Sequence, residues 1–222
     1  MRIYHGSEFE IVKPEYGKGK LYNDYGRGFY CTEDADMGRE WSVEADRDGV
    51  LNSYELDTKE LNILNLNSEN YSILNWLAIL LDNRSFDIQT DFAKESKAYI
   101  LDNFSVNYHD VDVIRGYRAD DRYFAFAQDF LNNAISIKTL EYAMKLGKMG
   151  EQIVLISPEA FKYISFVDSE KTESKIWYPR KKKRDGEARE AYTLKRNEPW
   201  KRGEIYMLQI IERGLQNADL II

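Results

Sequence analysis

The chain has a single cysteine in 222 residues, Cys31. A lone cysteine makes no internal disulfide, which excludes a secreted scaffold held by such bridges. Two histidines, His5 and His109, are with that cysteine too few and too scattered for structural zinc, so no metal is expected. Four prolines and 13 glycines exclude collagen-like and proline-rich low-complexity sequence. The longest apolar stretch, Ile73 to Leu81, is broken by Asn75 and is too short to span a bilayer, so no membrane partner is expected. The opening Met-Arg-Ile-Tyr-His-Gly has no apolar signal core. There is no Walker loop, no Gly-x-Gly-x-x-Gly following a strand and no Gly-x-Ser-x-Gly elbow. These absences read as a reduced, cytoplasmic protein.

What is present can fill a core: 43% of residues are hydrophobic and 31% charged. The length fits one large domain, or one domain with an appendage. Acidic residues outnumber basic ones 38 to 31, so the net charge is −7 and a uniformly basic nucleic-acid coat protein is excluded. The charge is uneven. Between Lys175 and Arg202, eleven basic residues face four acids, so that segment is +7 and the remainder −14. The boundary is placed near residue 170: a domain over 1–170, then a basic, helical C-terminal extension over 171–222 packed on it. Sixteen tyrosines and four tryptophans fill core and surface, or some of them stack on a planar ligand.

The pattern predicts strands over 1–5, 28–32, 50–57, 61–66, 110–114, 151–157 and 163–167, and a loop over 11–23. Helices are expected from Thr32 or Asp34 to about Ala45, from a Ser68 cap through Leu81, and over 91–104, 120–133 and 136–146. Gly147 should stop the last of these. A final amphipathic helix covers 205–212. Runs of strand flanking a helical middle give an α+β class.

Few residues offer chemistry. Cys31 reads as a buried small residue and His109 as a surface or core histidine. Gly17-Lys-Gly19-Lys and Gly26-Arg-Gly28 are too short for phosphate loops on spacing alone. Three strand-end groups remain: Tyr4-His5-Gly6-Ser7, Gly28-Phe29-Tyr30 and Glu151-Gln152. In this order they resemble the His-Tyr-Glu branch of the ADP-ribosyltransferase superfamily, which includes diphtheria toxin and the poly(ADP-ribose) polymerases. More closely, the chain resembles the bacterial family called domain of unknown function 3990, assigned to that superfamily. The resemblance rests on Tyr4 to Ser7, Asp24 to Thr32, Arg118-Ala-Asp-Asp121 and Gly150 to Val154, and covers residues 1 to about 168.

The resemblance implies a split β-sandwich around an NAD cleft, with a helical insertion at about 68–147. It implies mono-ADP-ribosyl transfer from NAD, which serves as substrate, or NAD hydrolysis. The acceptor would be a protein or nucleic acid. A toxin or anti-phage role beside an antitoxin is also implied. His5 would bond a ribose hydroxyl, the Gly6 backbone the nicotinamide amide, and Ser7 would add a hydroxyl. Tyr30 would stack on the nicotinamide. Trp41 would form the opposite wall, or else anchor the core opposite Met37.

Adjacent strand residues point to opposite faces, so only one of Glu151 and Gln152 enters the site. Gln152 is favoured because the related family carries glutamine there, and a neutral amide gives no charge to an oxocarbenium-like state. Asp120 and Asp121 either cap their helix or bring the missing carboxylate. Arg27 either meets the NAD pyrophosphate or stays solvated. The run Lys181-Lys-Lys-Arg184, with Trp177, Tyr178, Tyr192 and Trp200 nearby, is a solvated face or a footprint for an anionic partner. Two other functions fit the same residues: a non-catalytic NAD or ADP-ribose-binding module, and a nucleic-acid-binding protein working through the basic tail.

Overall fold

The computed structural model describes residues 1–118, 123–146, 150–199 and 201–220. Asp120, Asp121, Gly147 and Trp200 lie outside them. Among the described residues the chain is mixed α+β, with two sheets and eight helices.

The first sheet is antiparallel and three-stranded, in the order β1 (Arg2–Ser7), β3 (Gly49–Leu56), β7 (Ile164–Thr172). The second has the order β2 (Phe29–Cys31), β6 (Glu151–Leu155), β5 (Val113–Tyr117), β4 (Ile63–Asn65), with only β4 and β5 parallel. The sheets are stitched where Tyr4 and Thr32 exchange backbone hydrogen bonds of 2.8 and 2.9 Å. Side-chain alternation then divides the core. Ile3, Tyr54 and Leu56 of one sheet meet Cys31, Val113, Ile153 and Leu155 of the other. Ile114 and Val154 face the opposite way, into the helices.

That helical side consists of α2 (Ile73–Asn83), α3 (Asp91–Phe104), α4 (Tyr123–Leu131) and α5 (Ile137–Lys145). α2 is the most hydrophobic, and all its residues from Ile73 to Leu81 are buried. Its cap is Ser72 rather than Ser68. Ser68 sits in a turn, donating its N–H to Asn65 O, whereas the Ser72 N–H donates to Asn75 Oδ1 at 2.8 Å. β5 begins at Val113 and runs on through Gly116 and Tyr117, beyond the expected 110–114. Long-range pairing decides this: Gly116 faces Gln152 and Tyr117 faces Glu151. The lack of a Cβ at Gly116 also lets the Tyr25 ring approach, since a Cβ there would lie 2.3 Å from its hydroxyl.

α6 (Ser174–Arg196), α7 (Met207–Arg213) and α8 (Asn217–Leu220) follow β7, which continues past residue 170. Tyr192, Met207 and Ile210 are buried in the helical core, with the Tyr192 ring centred 3.7 Å from that of Phe126. α6 also docks on α1 (Ala35–Ser42), where Arg184 Nε donates to Glu40 at 2.8 Å and Lys181 Nζ to Val43 O at 3.3 Å. Among the described residues no helix is long and apolar enough to cross a membrane.

Candidate functional site

A cavity of about 870 Å³ opens where the end of β1, the start of β6 and β2 converge beneath the loop from Glu8 to Gly28. His5, Gly6, Ser7, Arg27, Tyr30, Trp41 and Gln152 all line it. Seven residues far apart in sequence thus share one wall. Glu151 does not line it.

His5 is fixed from two sides. Its Nδ1 lies 2.7 Å from the Tyr30 carbonyl oxygen, and its ring stacks on Phe29 at 4.3 Å between centroids. A carbonyl only accepts, so Nδ1 carries the hydrogen and the neutral ring leaves the Nε2 lone pair as an acceptor. Burial pushes the His5 pKa below its ordinary 6.5 and favours this neutral form, the Tyr30 carbonyl opposing it more weakly.

Gly6 is demanded by the framework. A Cβ there would lie 2.1 Å from Gly38 O and 2.7 Å from Ser42 N, so only glycine lets α1 press against β1. Ser7 is already bonded. Its hydroxyl donates to Phe9 O at 2.6 Å and accepts from Asn52 Nδ2 at 2.8 Å. Asn52 is fully buried, and its Oδ1 accepts the Ile11 N–H at 2.8 Å, so it shapes the loop that leaves β1.

The Tyr30 ring lines the cavity while its hydroxyl closes a turn, donating to Gly26 O at 2.6 Å and accepting the Tyr25 N–H at 3.1 Å. Gly26 takes φ +72°, a left-handed conformation that favours glycine. Burial raises the Tyr30 pKa far above its usual value, so the hydroxyl is a proton donor at every physiological pH.

β6 settles the choice between its first two residues. Gln152 is buried on the cavity face, and its Oε1 has no hydrogen-bond partner. Glu151 points to the other face, where it binds Arg115 Nε and accepts from Asn67 Nδ2 at 2.6 Å. Trp41 leans into the cavity rather than serving only as an anchor beside Met37. Its indole Nε1 is buried without a partner, and the Arg118 guanidinium lies 4.3 Å over its ring. Arg47 Nε and Asn67 Oδ1 are likewise unpartnered but lie outside the cavity.

Site reasoning from the sequence passed over four contributors: Asp24, Arg84, Arg118 and the Lys13–Lys20 loop. Six cationic side chains (Lys13, Lys18, Lys20, Arg27, Arg84, Arg118) line the cavity against three carboxylates, Glu8, Glu15 and Asp24. The excess favours an anionic ligand. The available signal was Gly17-Lys-Gly19-Lys, too short for a phosphate motif by itself but folded onto the rim. His109 is exposed and outside the cavity, and Cys31 is buried with its thiol pKa raised by that burial. No cluster of metal-binding side chains occurs among the described residues.

No curated protein and no solved structure matches the chain. A family model described as protein of unknown function (DUF3990) matches residues 1–166. Three quarters of the sequence, including every described cavity residue, falls within that match, and the chain belongs to the DUF3990 family.

Proposed function

We propose that this chain is an ADP-ribosyltransferase-like enzyme that cleaves NAD, releases nicotinamide and transfers a single ADP-ribose to a macromolecular acceptor. The observation that carries the reading is the pair of buried, unpartnered atoms in one cavity, the Trp41 Nε1 donor and the Gln152 Oε1 acceptor. Buried polar groups are almost always paired, so two open ones beside each other's lining residues call for a polar ligand. NAD suits them chemically. Its carboxamide and ribose hydroxyls offer donors and acceptors, its rings match Tyr30 and Trp41, and its diphosphate matches the cationic rim. The volume lies within the roughly 300–1,000 Å³ typical of small-molecule sites. Neutral His5 presents an acceptor to a ribose hydroxyl.

The test is nicotinamide release from NAD, with and without bacterial lysate. Release by the parent and loss of more than about 100-fold in His5→Ala is the expected result. Equal release by both ends the reading. A labelled-NAD gel then separates protein from nucleic-acid acceptors.

A second reading is favoured by one fact: the cavity-facing residue of β6 is the neutral Gln152. A module that binds NAD or ADP-ribose without turnover would show calorimetric binding and no nicotinamide release, even with lysate present.

A further inference from the structure

Breaking the ribose–nicotinamide bond builds positive charge at the ribose carbon, and a nearby anion lowers that barrier. The strand that opens with Glu151 does not supply one, because Glu151 is turned away and bound to Arg115. The anion must come from another element.

Three carboxylates line the cavity. Glu8 and Glu15 are rim groups with side chains 45% and 65% exposed, and they lean on Arg47 at 3.1 Å and Lys18 at 3.8 Å. Asp24 differs. It is 5% exposed, next in sequence to Tyr25, whose N–H meets the Tyr30 hydroxyl, and its charge helps hold the Tyr30 phenol in its neutral form. Its ion pair with Arg84 is long, 3.9 Å from Oδ1 to Nη1. The same nitrogen donates to Tyr22 O at 2.9 Å, and the guanidinium lies 4.5 Å over the Phe124 ring. Arg84 is therefore oriented by several groups and only partly by Asp24. The loop reaching Gly26 and Gly28 thus carries a buried negative charge to the wall that holds Tyr30 and Gln152.

We propose, building on the NAD-transferase reading, that Asp24 is the carboxylate that stabilises the developing ribosyl cation, in place of the strand glutamate. The ribose–nitrogen bond breaks and its electron pair leaves with nicotinamide, neutralising the pyridinium ring. The ribosyl carbon then accepts an electron pair from the acceptor nucleophile, whose proton is released to water. Asp24 stays ionised throughout and forms no bond. Gln152 accepts a hydrogen bond from the ribose.

The experiment measures nicotinamide release and calorimetric NAD binding in the parent, Asp24→Asn and the double variant Asp24→Asn/Gln152→Glu. The expected result is a loss of about 100-fold or more in turnover for Asp24→Asn, with NAD affinity held within a few-fold. The double variant should recover at least a tenth of the loss, because it returns a carboxylate to the same cavity. A purely structural Asp24–Arg84 tie would not be rescued this way. Asp24→Ala assayed with sodium formate, against sodium chloride, gives an independent reading, with formate expected to restore turnover. Parent-level turnover in Asp24→Asn overturns the assignment, as does a folded, inactive Asp24→Asn that neither the second carboxylate nor formate rescues. Unfolding of both single variants assigns Asp24 to the framework and also overturns it. A parent that neither binds NAD nor releases nicotinamide defeats the underlying reading as well.

Discussion

Two tryptophans and two amides separate the helical block from the cavity. Trp76 of α2 is 1% exposed, and its Nε1 donates to Tyr117 O at 3.1 Å. Asn75 beside it is 3% exposed and bonded at both ends, donating to Phe104 O at 2.9 Å and accepting from Ser72 N at 2.8 Å. In the cavity, Trp41 Nε1 and Gln152 Oε1 are just as dry yet have no partner. The same chemical groups are closed in one region and open in the other. A buried polar group that contributes to stability is satisfied; one left open costs stability and is explained by what binds there.

The comparison breaks or sharpens under substitution. The largest effect is expected from Trp76→Ala, which should cost about 3–5 kcal/mol by removing a large core ring and freeing a buried carbonyl. Denaturant unfolding measures it, and a loss below 1 kcal/mol would erase the distinction between the regions. Next come Asn75→Ala and Gly6→Ala, each expected to cost about 1–3 kcal/mol. The first orphans the Phe104 carbonyl and the Ser72 N–H, and the second drives a Cβ into the α1 backbone. Gln152→Met keeps the volume and deletes an unsatisfied acceptor, so stability should stay within about 1 kcal/mol of the parent or rise. NAD binding should nevertheless weaken. A folded variant with unchanged affinity would show that the open acceptor is not a ligand contact.

The smallest effect concerns pH. The folded His5 has a pKa below 6.5 and the unfolded chain one near it. The unfolded state therefore takes up the proton first as pH falls. Stability should be unaffected above about 6.5 and should decline below it until the folded ring also protonates. Melting temperatures across that window, compared with those of His5→Gln, report it. An identical pH slope in the variant would assign the effect elsewhere.

Much of the framework was legible from local pattern. Asp34 caps α1 with its side chain accepting from Asp36 N and Met37 N, and α3 covers 91–104 as the periodicity requires. The errors lie where distant pairing outweighs local signal: the cap of α2 at Ser72 and the shift of β5 toward Tyr117. In the site, His5, Tyr30 and Gln152 were legible because each sits at a strand end in a recognisable order. Asp24, Arg84 and Arg118 were not, since loop charges carry no periodicity and meet the cavity only after the chain folds. Ser7 was misjudged as a free hydroxyl because its partner, Asn52, lies on a neighbouring strand.

By itself the sequence determined the class of elements and the alternation that puts Glu151 and Gln152 on opposite faces. Capping residues and side-chain periodicity act within a few positions, so they can be read from order alone. Only the tertiary structure decided which face of β6 is the cavity face, which buried polar atoms stay open, and which carboxylate reaches the wall beside Tyr30. Those are properties of enclosure, and enclosure exists only once β1, β2, β6 and the Glu8–Gly28 loop have come together.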